Sequence, residues 1–111
     1  MRAKVDELLN DGMLQYGQIK TLRDELKRKT GVSFQTEGTL FFNFQSINRS
    51  FDMYVVGNID DVELKIKAYY SKDLNKSHLV MIDDETYEIV TLDPDKARKY
   101  VFIFLKKWVD K

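Results

Sequence analysis

The stretch His78-Leu79-Val80-Met81-Ile82-Asp83-Asp84-Glu85-Thr86-Tyr87-Glu88-Ile89-Val90-Thr91-Leu92-Asp93-Pro94-Asp95, carried on to Trp108, decides the fold. Segments 79–82, 87–92 and 100–109 are rich in β-branched and aromatic residues, the composition of strands. Asp83-Asp84 and Asp93-Pro94-Asp95 fall between them as turns. Strand, turn, strand, turn, strand is a meander, and none of its residues has the look of a catalytic group. The pattern points to a structural or interaction module on a small β-barrel or sandwich and away from an enzyme.

Working outward, segment 62–70 is the cleanest strand. Val62, Leu64, Ile66, Ala68 and Tyr70 alternate with Glu63, Lys65, Lys67 and Tyr69, one face for a core and one for water. Segment 39–47 alternates similarly, with Leu40, Phe42 and Phe44 on one face. Segment 13–22 reads as a first strand containing Tyr16, Ile19 and Leu22. The charged run 23–31 reads as a solvated hairpin tip closed by Gly31, and 71–77 as a polar connection. Segment 48–61 lacks clean alternation, mixes polar residues with Phe51, Met53, Tyr54, Val55 and Val56, and breaks at Gly57-Asn58. It reads as a long functional loop. Residues 3–9 have the spacing of one or two helical turns, stopped by Asn10-Asp11-Gly12.

The expected architecture is therefore mainly β. It is a small antiparallel β-barrel of about six strands, with a long loop between strands 2 and 3. A short helical or mobile N-terminal segment (1–12) precedes a single domain (13–111), and 111 residues fit one domain. Eighteen basic and eighteen acidic residues balance to a net charge of zero, which weighs against a sequence-independent nucleic-acid binder. The absence of cysteine removes disulfides and thiolate metal sites and is compatible with a reducing compartment. No stretch reads as a signal peptide or a membrane span, so a soluble protein assembled in a cytoplasm is expected.

Few residues invite a chemical reading. Asp83, Asp84 and Glu85 lack the ligand spacing and glycine of a calcium loop and suit a hairpin turn. Asp60-Asp61 reads as a strand entry. His78, the only histidine, has no visible partner for base catalysis or zinc and is expected to face solvent. Lys20, Arg23, Lys27, Arg28 and Lys29 form a local basic patch, interrupted by Asp24 and Glu25. In the last strand, Tyr100, Phe102, Phe104 and Trp108 fall on one face, with Val101, Ile103 and Leu105 on the other. Both faces are apolar. A domain this small has limited interior, so part of the aromatic face is expected at a subunit interface, with Tyr100, Phe102 and Trp108 as candidates. No cofactor is expected.

The order of these elements resembles the head-closure (head–tail joining, or stopper) proteins of long-tailed bacteriophages. The resemblance rests on strand 62–70, the polar stretch after it, the apolar strand with its two-residue turn, Tyr87-Glu88-Ile89, and the acidic turn before the final strand. It covers about residues 13–108, and it is a pattern of elements, not a hard motif. It implies a virion subunit that forms a homo-oligomeric ring at the head–tail interface, assembled in the host cytoplasm. Its partners would be a portal-bound adaptor and tail proteins. Double-stranded DNA would pass through its channel without sequence-specific binding, and no membrane would be involved. It also implies that the loop between strands 2 and 3 gates the channel, here Phe51, Asp52, Met53, Tyr54, Val55, Val56 and Gly57. The alternative is another β-barrel binding module, such as a tail-terminator-like protein or an oligonucleotide-binding fold.

Overall fold

The computed structural model describes residues 8–109. The expected alternation builds its walls. In β3 (Leu64–Tyr69), Ile66 and Ala68 are fully buried while Lys65 and Lys67 lie on the outer face. With β1 (Gly12–Arg23), β2 (Lys29–Gln45), β4 (Leu79–Ile82), β5 (Glu85–Pro94) and β6 (Tyr100–Lys107) it forms one antiparallel sheet. The strand order β1-β2-β3-β6-β5-β4 returns to β1, so the sheet closes on itself. Leu14, Phe42, Ile66, Val80, Ile103 and Leu105 meet inside at essentially zero exposure. Leu74, from the 71–78 connection, also belongs to this core.

The first turn of the meander takes the expected form, whereas the second falls later than expected, over 95–99, because Asp93 and Pro94 still pair with Phe102 and Val101. Asp83 and Asp84 have φ of 49° and 68° and link the Ile82–Glu85 pair. Positive φ at both central residues is what a two-residue hairpin turn matched to strand twist requires. At the other turn, Asp95 Oδ1 accepts from the Lys99 amide at 2.8 Å and the Tyr100 amide at 3.3 Å, closing the approach to β6.

Three differences from the sequence reading matter. First, β2 begins at Lys29, ten residues before the expected start, so β1 and β2 make a long hairpin. Second, the expected 48–61 loop is ordered secondary structure: helix α1 (Arg49–Val56) followed by a 3-10 turn (Ile59–Asp61). Third, the expected N-terminal helix falls mostly on residues outside the described ones. Leu8 to Asp11 run along β2, where Asn43 Oδ1 accepts from the Asn10 and Asp11 amides at 2.8 and 3.0 Å. Its Nδ2 donates to the Leu8 carbonyl at 3.0 Å.

Candidate interaction surfaces

Helix α1 starts where its sequence provides a cap. Asn48 Oδ1 accepts from the Ser50 and Phe51 amides at 3.2 and 3.3 Å, satisfying donors left open at a helix N-terminus. Asp52 answers it, accepting the Asn48 amide at 2.8 Å. The same carboxylate receives Lys65 Nζ from β3, at 3.0 and 3.2 Å to its two oxygens. Both side chains are buried, at 7% and 13% exposure. Lys65 Nζ also lies 5.0 and 5.4 Å from the centres of the Phe102 and Phe104 rings, within cation–π range. Gly57 ends the helix at φ 87°, a conformation costly for other residues, and its amide returns to the Met53 carbonyl at 2.9 Å.

The segment expected to gate a channel is thus a helix fastened to the outer wall by a buried ion pair. Asp52 is the anchor, while Phe51, Met53, Tyr54 and Val55 face water. Tyr54 is 88% exposed and Phe51 73%. The missed signal was the Asn48-to-Asp52 spacing: a capping residue followed by an acid in the first turn announces a helix even without apolar periodicity.

The outer face of β6 is partly covered by the chain. Ile59, Val62 and Phe104 form a second buried cluster, joined by Ile47, Val56, Val90 and Phe102. The chain itself covers this part of the face, and Phe104 is only 1% exposed. Val90 reaches it because a bulge sets this residue out of register between Ile89 and Thr91. Tyr100 is buried, stacks on Tyr69 at 5.8 Å, and has Lys67 Nζ 4.4 Å from its ring centre. Phe102 is half-buried under Lys65 and Lys67. Trp108 is also half-buried just past β6, its amide donating to the Thr86 carbonyl at 3.0 Å. Of the three expected interface residues, Tyr100 is thus buried within the chain, while Phe102 and Trp108 keep part of their surface open. The short connection bearing Ile59 and Val62 covers Phe104.

The open apolar surface lies elsewhere. Only Phe42, Asn43, Phe44 and Gln45 of β2 pair with β3, and only Gln15, Tyr16 and Gly17 of β1 pair with β4. Beyond these positions β1 and β2 pair only with each other, forming a two-stranded ribbon of about 20 Å at ordinary strand rise. Ile19 faces Phe34 and Thr21 faces Val32, so these four share one side. The apex is ordered. Asp24 accepts the Leu26 and Arg28 amides and Arg28 Nε, each at 2.9 Å. The Arg28 amide foremost, with the guanidinium and the Leu26 amide, holds the Asp24 carboxyl below the usual aspartate range. Leu26 stands at the tip, 72% exposed. The basic residues singled out in sequence all sit on this ribbon.

The ribbon leaves the closed sheet at a bulge. Tyr16 pairs with Gly38 but Gly17 pairs with Thr36, leaving Glu37 as the extra residue. A Cβ on Gly17 would stand 1.9 Å from the Gln35 carbonyl oxygen, and one on Gly38 would stand 2.3 Å from the Tyr16 hydroxyl. Glycine at both positions allows this close approach. His78 locks the junction. It is 4% exposed, contrary to the solvent-facing position expected from sequence. Its Nδ1 accepts the Asn75 amide at 3.1 Å, its ring lies 5.1 Å from that of Tyr16, and its Nε2 is 3.3 Å from Glu37 Oε1. A lone histidine before a strand gave no sign of a partner 41 positions away. Among the described residues, no group of three or more acids and histidines converges on a metal position. No described helix is long and apolar enough to cross a membrane.

No protein-family profile matches the chain, and no curated protein matches it in sequence. Its fold does have solved counterparts. Protein SF1141 from Shigella flexneri 2a is similar with a TM-score of 0.62 at 15% identity, over 92% of this chain and 96% of that one. A chain from the virion of a native gene transfer agent particle is similar with a TM-score of 0.50 at 10% identity, over 97% of this chain and 98% of that one. At such identities the likeness establishes a shared fold, and in both cases it runs over nearly the whole of each chain.

Proposed function

We propose that this chain is a structural subunit of a virion, and more narrowly a head-closure protein that forms a ring between a portal-bound adaptor and the tail. The observation that carries the reading is the near end-to-end likeness of its closed sheet to a chain of a virion particle. The strand order that resembles head-closure proteins supports it. So does the charge balance, since a zero net charge suits a channel wall past which double-stranded DNA must slide without being held. Ring subunits need two different patches that meet head to tail. Exposed Phe51, Tyr54 and Val55, which share one side of α1, supply one, being apolar surface that a solitary monomer has no use for. In this reading α1 serves as a contact surface and not as a mobile gate, because Asp52 and Lys65 fix it to the wall.

The test is made on particles. Infection with a phage carrying this gene disrupted is expected to give filled heads that carry no tail and lose their DNA. The protein is expected in purified virions and in isolated head–tail connectors. Complete, infectious particles that lack the protein would overturn the proposal.

A further inference from the structure

A head-to-tail ring needs a second patch unlike the first, and the β1–β2 ribbon has the right properties. We infer that the ribbon of one copy docks on the α1 segment of a second copy of this chain, an inference that deepens the ring reading above. Three observations converge on that partner. The ribbon is a two-stranded element projecting from the closed sheet, and two strands alone are marginal in water. Its apex is nonetheless held rigid by Asp24, so that Leu26 is presented at a fixed point, with Val32 and Phe34 on one side below it. An ordered apolar tip loses little freedom on docking.

The charges then select the occupant. Segment 18–36 carries Lys20, Arg23, Lys27, Arg28 and Lys29 against Asp24 and Glu25, a net +3. Around α1, Asp52 is already matched by Lys65, and the exposed charges are Asp60, Asp61 and Glu63 against Arg49, a net −2. Asp60 spends part of its charge on Arg49, and Lys106, already paired with Glu88, lies near Asp61 and Glu63, which remain the exposed acids of this side. A neutral chain that separates its charge this way, with exposed apolar side chains at both poles, is complementary to itself in a head-to-tail sense. Opposite patches on one molecule steer copies into the same orientation and penalise tip-to-tip or helix-to-helix contact. Because the two patches differ, the contact is heterologous and propagates from copy to copy, the kind of contact from which closed rings are built.

The chain has no cysteine, so engineered pairs report directly. V32C places a thiol on the ribbon, Y54C on α1, and K72C at an exposed position of the 71–78 connection as a control. Oxidation of concentrated V32C mixed with Y54C is expected to give a disulfide-linked dimer about tenfold faster than V32C mixed with K72C, the effect of raised effective concentration. The double variant V32C/Y54C is expected to give a ladder of higher oligomers. Reversing charge with R23E/K27E should slow the first reaction to the control rate, and D61K/E63K on the Y54C partner should restore it. That rescue also shows that the reversed ribbon is folded. Equal rates with Y54C and K72C, or a reversal without rescue, would overturn the contact. Absence of the protein from virions would overturn only the head-closure reading, since a preferential ladder in the purified chain stands without it.

Discussion

Leu14 and Phe42 lie on one side of the Glu37 bulge, and Val32 and Leu26 on the other, in the same hairpin. The first pair is 0% and 1% exposed, the second 36% and 72%. Below the bulge, β1 and β2 each have a further neighbour in the sheet, and their inward Leu14, Tyr16 and Phe42 join one core with residues of the other four strands. Above it, past the Gly17–Leu79 pair, they have only each other. The outer half is the more polar one, and it also lacks neighbours: a strand pair becomes core only where other strands enclose it. The inner half should carry stability and the outer half should carry recognition.

The sharpest way to break that division is to truncate both halves. Phe42→Ala empties a fully buried ring site and is expected to cost about 3–5 kcal/mol. Leu26→Ala and Val32→Ala should stay within about 0.5 kcal/mol, as surface substitutions do. Urea unfolding followed by tryptophan fluorescence measures both. A ribbon variant as damaging as Phe42→Ala would mean that the ribbon belongs to the cooperative core.

The Asp52–Lys65 pair offers the next largest effect and sets α1 against the ribbon. Asp52→Ala leaves the Lys65 ammonium buried beneath the helix without its carboxylate, at an expected cost of about 3 kcal/mol. Asp52→Leu combined with Lys65→Met should recover most of it, because well-packed apolar groups avoid the desolvation of two charges. Thermal unfolding of the single and double variants tests this. If the single variant is neutral, α1 is not fastened as described and regains the character of a loose loop.

At the junction itself, Gly17→Ala should fall between core and surface. Its methyl group would have to displace the Gln35 backbone, and overpacking of this kind costs about 1–3 kcal/mol. The effect should be concentrated in the ribbon, where amide exchange of residues 18–23 and 29–35 should accelerate more than that of β3 and β6. Uniform acceleration would place the glycine in the global core.

What was legible in the sequence followed from period-two alternation and turn chemistry. Leu64 to Tyr69 and the Asp83-Asp84 turn were readable because each residue's role is set by its immediate neighbours, whereas Val62 leaves the expected alternation and packs with Phe104 on the outer face. The ribbon half of β2 was hidden because Gly31, Gly38 and the surrounding polar residues look like loop, while Val32 and Phe34 are too few to mark a face alone. Burial of Phe104, Tyr100 and His78 was not readable, since it depends on Ile59, Lys67 and Glu37 arriving from distant positions. The candidate surface was half visible: Phe51, Tyr54 and Val55 stood out as misplaced apolar residues, but only the fold shows that Asp52 among them points inward.

The smallest effect distinguishes the ribbon's tip from its body. Hydrogen bonds from the Arg28 amide, the Arg28 side chain and the Leu26 amide hold the Asp24 carboxyl below the usual aspartate range. A carboxyl lowered in the folded state adds stability that is present above the unfolded aspartate value and fades as pH falls through the lowered one. The tip should therefore stay ordered through the neutral and mildly acidic range and loosen only in strong acid. Because Asp24 sits at the far end of the ribbon, the loosening should appear in the amide shifts of Leu26 and Arg28 while those of β3 and β6 remain fixed. Asp24→Asn should abolish that acid step, since an amide has no proton to gain, and should weaken Leu26 presentation at all pH values. An acid transition that moves tip and closed sheet together would show that the hairpin behaves as one unit, and the division at Glu37 would lose its energetic meaning.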